Sequence, residues 1–105
     1  MSFGNMQKML KQVQKIQAEM ARIQEELASR TVEASTGGGA VQVVANCHQE
    51  LVQIKIDRAV IDPEDPELLE DLVLTAVNEA LKKARETVTR EMEKITGGLK
   101  IPGFI

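Results

Sequence analysis

The residues best equipped for chemistry in this 105-residue chain are its lysines and arginines. Lys8, Lys11, Lys15 and Arg22 recur at spacings of three, four and seven. On a helix turning ~100° per residue they share a ~60° sector. A line of cations along a rigid element can meet successive phosphates of a nucleic acid. Glu19 and Glu26 fall in the same sector, dilute its charge and can pair with Lys15 and Arg22. Further along, Lys83, Arg90 and Lys94 share a ~40° sector of their own. A solvated charged face is the commoner use of such stripes, and helix-end dipole compensation accounts for part of the second.

Other constellations carry less chemistry. Thr36-Gly37-Gly38-Gly39 has the glycines of a phosphate loop but no lysine. It lies between two strand patterns, where a phosphate loop should run from strand into helix, so it reads as a hairpin turn. Cys47 and His48 are adjacent, so their side chains diverge in a turn, and nothing else completes a triad or metal set with them. An inert turn is the simpler reading, with a reactive exposed Cys47 left open. Asp62, Glu64, Asp65, Glu67, Glu70 and Asp71 lack the glycine and ligand spacing of a calcium loop and suit the positive end of a helix dipole. No catalytic residue, metal, cofactor or small-molecule substrate is expected.

The elements that position these groups follow from periodicity. Met9, Val13, Ile16, Met20, Ile23 and Leu27 step by four and three, a heptad seam in a segment free of Pro and Gly from Asn5 to Arg30. This predicts a first helix over 5–29, with Ser2 or Asn5 as N-cap. Its length of ~36 Å exceeds what so small a domain can cover, so the seam needs a partner helix in cis or in trans. After Arg30 the period becomes two. Val32 and Ala34, then Val41, Val43 and Ala45, then Val52, Ile54 and Ile56 alternate with polar neighbours. Turns at Gly37-Gly38-Gly39 and Asn46-Cys47-His48-Gln49 separate them, which predicts a three-stranded antiparallel meander over 31–57. Pro66 and its acidic neighbours then open a second helix over 65–96, stopped by Gly97-Gly98. Its first half is broadly apolar, fitting a helix laid on the sheet, and its second half narrows to a stripe, fitting a projecting arm. Residues 97–105 form a short apolar tail.

Charge and composition narrow the partners. The net charge is −3, yet residues 62–79 hold seven acidic and no basic groups while both ends of the chain are mildly basic. Two Phe, no Tyr and no Trp exclude recognition of bases by aromatic stacking. One Cys excludes an internal disulfide. No segment reads as a signal peptide or a membrane span, so a soluble cytoplasmic protein is expected.

The joint order of several segments resembles the YbaB/EbfC family of bacterial nucleoid-associated proteins across essentially the whole chain. These are Gly4-Asn5-Met6 leading into Met9-Leu10-Lys11-Gln12-Val13-Gln14-Lys15, then Val32-Glu33-Ala34-Ser35-Thr36-Gly37-Gly38-Gly39-Ala40-Val41 and Ile54-Lys55-Ile56-Asp57. Asp62-Pro63-Glu64-Asp65, Leu68-Leu69-Glu70-Asp71-Leu72-Val73, Ala76-Val77-Asn78-Glu79-Ala80 and Thr96-Gly97-Gly98-Leu99-Lys100-Ile101-Pro102-Gly103-Phe104 extend it. The resemblance implies an α+β protomer of order α-β-β-β-α in a tweezer-like homodimer. It implies a nucleoid-associated protein that binds double-stranded DNA with little sequence preference and alters its conformation, with consequences for nucleoid organisation and gene expression. The family carries no tight contact motif, so Lys8, Lys11, Lys15, Arg22, Lys83, Arg90 and Lys94 are assigned to DNA from the helical wheel alone. Cys47-His48 departs from the Gly and polar residue expected at that turn. A coiled-coil adaptor or prefoldin-like holdase is the alternative, which the third alternating segment disfavours.

Overall fold

The computed structural model describes residues 3–96. Helix α1 spans Phe3–Ser29, strands β1, β2 and β3 span Thr31–Thr36, Val41–Asn46 and Leu51–Ile56, and helix α2 spans Pro66–Thr96. The strands form one antiparallel sheet in the order β1-β2-β3. The α+β order expected from the sequence is the order observed. Asn5 does not cap α1, because the helix already begins at Phe3 and nothing in Phe3-Gly4 obstructs it. Ser2 and the tail at 97–105 lie outside the described residues. Asp65 caps α2 instead: its Oδ1 accepts from the Leu68 amide at 3.3 Å.

Gly37, Gly38 and Gly39 make the first turn with φ of 61°, 67° and 97°. This is a conformation that glycine adopts without steric cost. Gly37 is also tightly placed, since a Cβ there would lie 3.2 Å from Leu72 Cδ2. At the second turn Gln49 takes a positive φ of 61°. Asn46 stabilises that turn through Oδ1, which accepts from the His48 and Glu50 amides.

Val41, Val43 and Ala45 on β2 are fully buried against Ala76 and Ala80 of α2. With Ala84 these alanines recur every four residues, so α2 approaches the sheet closely along a strip of methyl groups. Two ties fix the rotation of α2. Thr36 Oγ1 donates to the Leu72 carbonyl at 2.8 Å, and Lys83 Nζ donates to the Glu33 carbonyl at 2.8 Å. Leu72 and Lys83 therefore lie over β1, and Leu74 and Leu81, ~180° round the helix, lie on the flank toward β3.

Strand β3 departs from the expected pattern in two ways. Leu51, and not Val52, takes the register opposite Ala45, because an irregularity between Val44 and Ala45 skips Val52. The inner face of β3 is also uncovered. Leu51, Ile54 and Ile56 pair with buried β2 residues yet are themselves 43%, 44% and 38% exposed. Helix α2 covers β1 and β2, and β3 contributes nothing to the buried cluster.

A second cluster joins the helices. Ile23 and Leu27 pack with Cys47, Val88 and Met92. Arg30 Nη1 meets Glu91 Oε1 at 2.7 Å, and Lys94 Nζ meets the same oxygen at 3.1 Å. Helix α1 thus enters the body where the second half of α2 leaves it, and the two run antiparallel. Among the described residues, only the last turns of the α1 seam find a partner in cis. Met6, Met9, Leu10 and Val13 are exposed, and the molecule measures 75 × 24 × 16 Å.

Candidate nucleic-acid interface

The projecting part of α1 is a cationic arm. Lys8, Lys11 and Lys15 are exposed, and none has an ion-pair partner among the described residues. From Phe3 to Ala18 the chain holds these three cations and no carboxylate. Gln and Met fill the intervening positions and keep the helix regular without adding charge. The exposed apolar seam lies ~130° round the wheel from the lysines, so packing on the seam leaves them in solvent.

The other four residues singled out from the wheel are engaged within the protomer. Arg22 is held in a fork, with Nη2 3.0 Å from Glu19 Oε2 and Nη1 2.9 Å from Glu26 Oε1. The Glu19 hydrogen bond and charge, with Glu26, raise its already high pKa. Lys83 closes the edge of β1 through the Glu33 carbonyl. Arg90 Nη2 donates to Thr87 Oγ1 at 3.2 Å. Lys94 shares Glu91 with Arg30, and the hydrogen bonds from Arg30 and Lys94 hold the Glu91 carboxyl below the usual range. The structure therefore groups Lys8, Lys11 and Lys15 and separates them from Arg22, Lys83, Arg90 and Lys94.

Cys47 is not the exposed thiol that the sequence left open. It is buried between the helices, and burial pushes its pKa up, so the thiolate is disfavoured. His48 is exposed and also reaches α1, its Nε2 3.1 Å from the Gln24 carbonyl. No group of His, Cys, Asp and Glu able to hold a metal occurs among the described residues. No described helix is long and apolar enough to cross a membrane. Sequence reasoning missed Lys82 and Arg85, exposed cations on the side of α2 turned away from the sheet. A wheel referenced to the alanine strip, and not to Met92, would have found them.

Comparison with known proteins decides among the readings of the whole chain. Residues 2–99 match the model of the YbaB/EbfC DNA-binding family. The chain belongs to that family. A protein named "Nucleoid-associated protein" from Moorella thermoacetica is 65% identical over 104 residues, covering 99% of this chain and all of its own length. One of the same name from Pelotomaculum thermopropionicum is 59% identical over 101 residues, 96% of each chain. The crystal structure of the uncharacterized protein HP0035 from Helicobacter pylori superposes with a TM-score of 0.74 at 25% identity, covering 92% of this chain and 99% of that one. Membership of the YbaB/EbfC family identifies a DNA-binding nucleoid protein and does not favour a coiled-coil adaptor or holdase.

Proposed function

We propose that this YbaB/EbfC chain is a non-enzymatic, cytoplasmic, nucleoid-associated protein. It acts as a homodimer that holds double-stranded DNA by its phosphates and changes its conformation with little regard to sequence. The observation that carries this reading is the α1 arm, where Lys8, Lys11 and Lys15 have no ion-pair partner among the described residues and stand on a helix stretch without carboxylates. Ammonium groups on flexible stems bind phosphate as point charges and read no bases. No aromatic residue lies between Lys8 and Lys15, so distortion of the duplex at these contacts comes from charge neutralisation and the spacing of the arms. Arg22, Lys83, Arg90 and Lys94 act as secondary contacts, since each is already engaged within the protomer. No small molecule is needed for this activity.

The homodimer is supported by apolar surface left uncovered on one side of the protomer. The inner face of β3 (Leu51, Ile54, Ile56) adjoins the α2 flank carrying Leu74, which is 60% exposed. A two-fold axis would lay the α2 flank of each protomer against β3 of the other, making the interface self-complementary. Replacing Lys8, Lys11 and Lys15 together by Glu tests the DNA reading. The variant is expected to stay folded and dimeric and to lose salt-sensitive duplex binding. Unchanged binding would remove the arm from the interface.

A further inference from the structure

The apolar seam of α1 outruns its cover. Ile23 and Leu27 are buried against Val88 and Met92 of α2. Toward the start of the helix, Met20, Val13, Met9 and Met6 continue the same stripe and are exposed. Helices of 27 and 31 residues are ~40 and ~46 Å long. In a molecule of 75 × 24 × 16 Å both lie along the long axis and overlap by only about 12 Å. Helix α2 therefore reaches Thr96 close to the level of Met20. The stretch of α1 beyond that level has no apolar partner among the described residues, and such a stretch alone is only marginally helical in water. Residues 97–105 follow α2 at this point. Leu99, Ile101, Pro102, Phe104 and Ile105 are apolar, and Lys100 is the one charged residue. Gly97, Gly98, Pro102 and Gly103 oppose a helix, so the segment reads as extended.

We propose that residues 97–105 dock on the exposed α1 seam of their own protomer, with Leu99, Ile101 and Phe104 covering it from Met20 toward Met6. Three arguments favour this occupant. The first is reach: Met20 to Met6 spans ~21 Å of helix, and an extended segment of this length covers ~30 Å. The second is continuity. The segment prolongs the contact that Val88 and Met92 make with Ile23 and Leu27, in the same direction and along the same stripe, so the chain needs no reversal. The third is tethering. Joined to the end of α2, the segment meets the seam at an effective concentration on the order of millimolar, above that of a second copy's arm in dilute solution. Lys8, Lys11 and Lys15 lie ~130° round the wheel from the seam, so docking leaves them in solvent and stiffens the helix that presents them. The inference concerns packing within the protomer and stands apart from what the lysines hold.

The chain has no Trp and no Tyr, so Phe104→Trp in the full chain places a lone indole reporter in the segment. Its emission is expected to be blue-shifted against N-acetyltryptophanamide in the same buffer and shielded from acrylamide. Adding Met9→Gln and Val13→Gln, polar changes that keep helix propensity, is expected to shift the emission to that of the free indole while the thermal melt of the body is retained. Mixing Phe104→Trp with an excess of the Met9→Gln/Val13→Gln chain, under conditions of subunit exchange, is expected to leave the emission unchanged, because each segment sits on its own arm. Water-like emission from Phe104→Trp alone, or a blue shift that ignores the seam substitutions, overturns the docking. A red shift in the mixture overturns the assignment to the same protomer, since the segment then crosses to a partner. Water-like emission, with a fall in mass by light scattering for Met9→Gln/Val13→Gln, overturns it in favour of a second copy's arm on the seam.

Discussion

At the scale of single residues, the local chemistry makes separable demands. Gly37 combines a positive φ of 61° with Leu72 packed against the space a Cβ would take. Gly37→Ala is expected to cost about 1–2 kcal/mol for the left-handed backbone alone, read as a lower midpoint in urea unfolding. Glu91 joins Arg30 at the base of α1, and its carboxyl pKa is lowered chiefly by the Arg30 hydrogen bond. A depressed carboxyl pKa adds stability that is complete above the ordinary glutamate range and is lost as pH falls through the lowered value. Glu91→Gln should therefore lower stability at pH 7 and flatten the decline between neutral and acid pH, measured as unfolding midpoints across that range. An unchanged acid limb would show that the Arg30 tie does not persist in solution. Cys47 shows where sequence stops at this scale. Its turn was legible from Asn46 and the break in alternation, but its burial depends on Ile23 and Val88, which are remote in the chain.

At the scale of elements, periodicity carried the reading a long way. The step from a 3-4 repeat to strict alternation after Arg30 placed α1 and the three strands, and Pro66 with its acidic neighbours placed α2. Two features depended on tertiary packing. The skip at Val52 reverses which side chains face inward at the start of β3, and no composition rule separates Leu51 from Val52. The rotation of α2 is set by the alanine strip and the ties to Leu72 and Lys83, which moved Lys83 from a free cation to a strand-edge clamp. Of the seven cations drawn from helical wheels, Lys8, Lys11 and Lys15 are the ones left unpaired among the described residues, because their stretch of α1 has no carboxylates and no described element beside it. Leu27 is 3% exposed at the crossing of the helices. Leu27→Ala should cost about 2–5 kcal/mol, checked by chemical denaturation. A loss below about 1 kcal/mol would mean that the crossing is not a packed joint.

At the scale of the whole molecule, charge and apolar surface are distributed along a rod 75 Å long. The arm of α1 projects from one end. The start of α2, within the stretch of seven acidic and no basic groups, lies at the other. A net charge of −3 is therefore compatible with DNA binding, because the proposed contact is with the arm and not with the sum. The uncovered β3 face and the α2 flank are the opposite kind of surface, apolar and close to the body, and carry the proposed dimer interface. Ile54→Lys is expected to yield a monomer by light scattering, with DNA affinity reduced through loss of the second arm. A variant that remains dimeric would move the interface elsewhere.

The most direct test of phosphate-held DNA binding is fluorescence anisotropy of a labelled ~30-base-pair duplex, titrated with protein at 50 and 200 mM salt. Two protomers that each neutralise ~2–4 phosphates predict a slope of about −4 to −7 in log K against log salt, so affinity should fall by ~100-fold or more across that range. Binding that ignores salt, or no binding by the folded dimer at 50 mM, would contradict it.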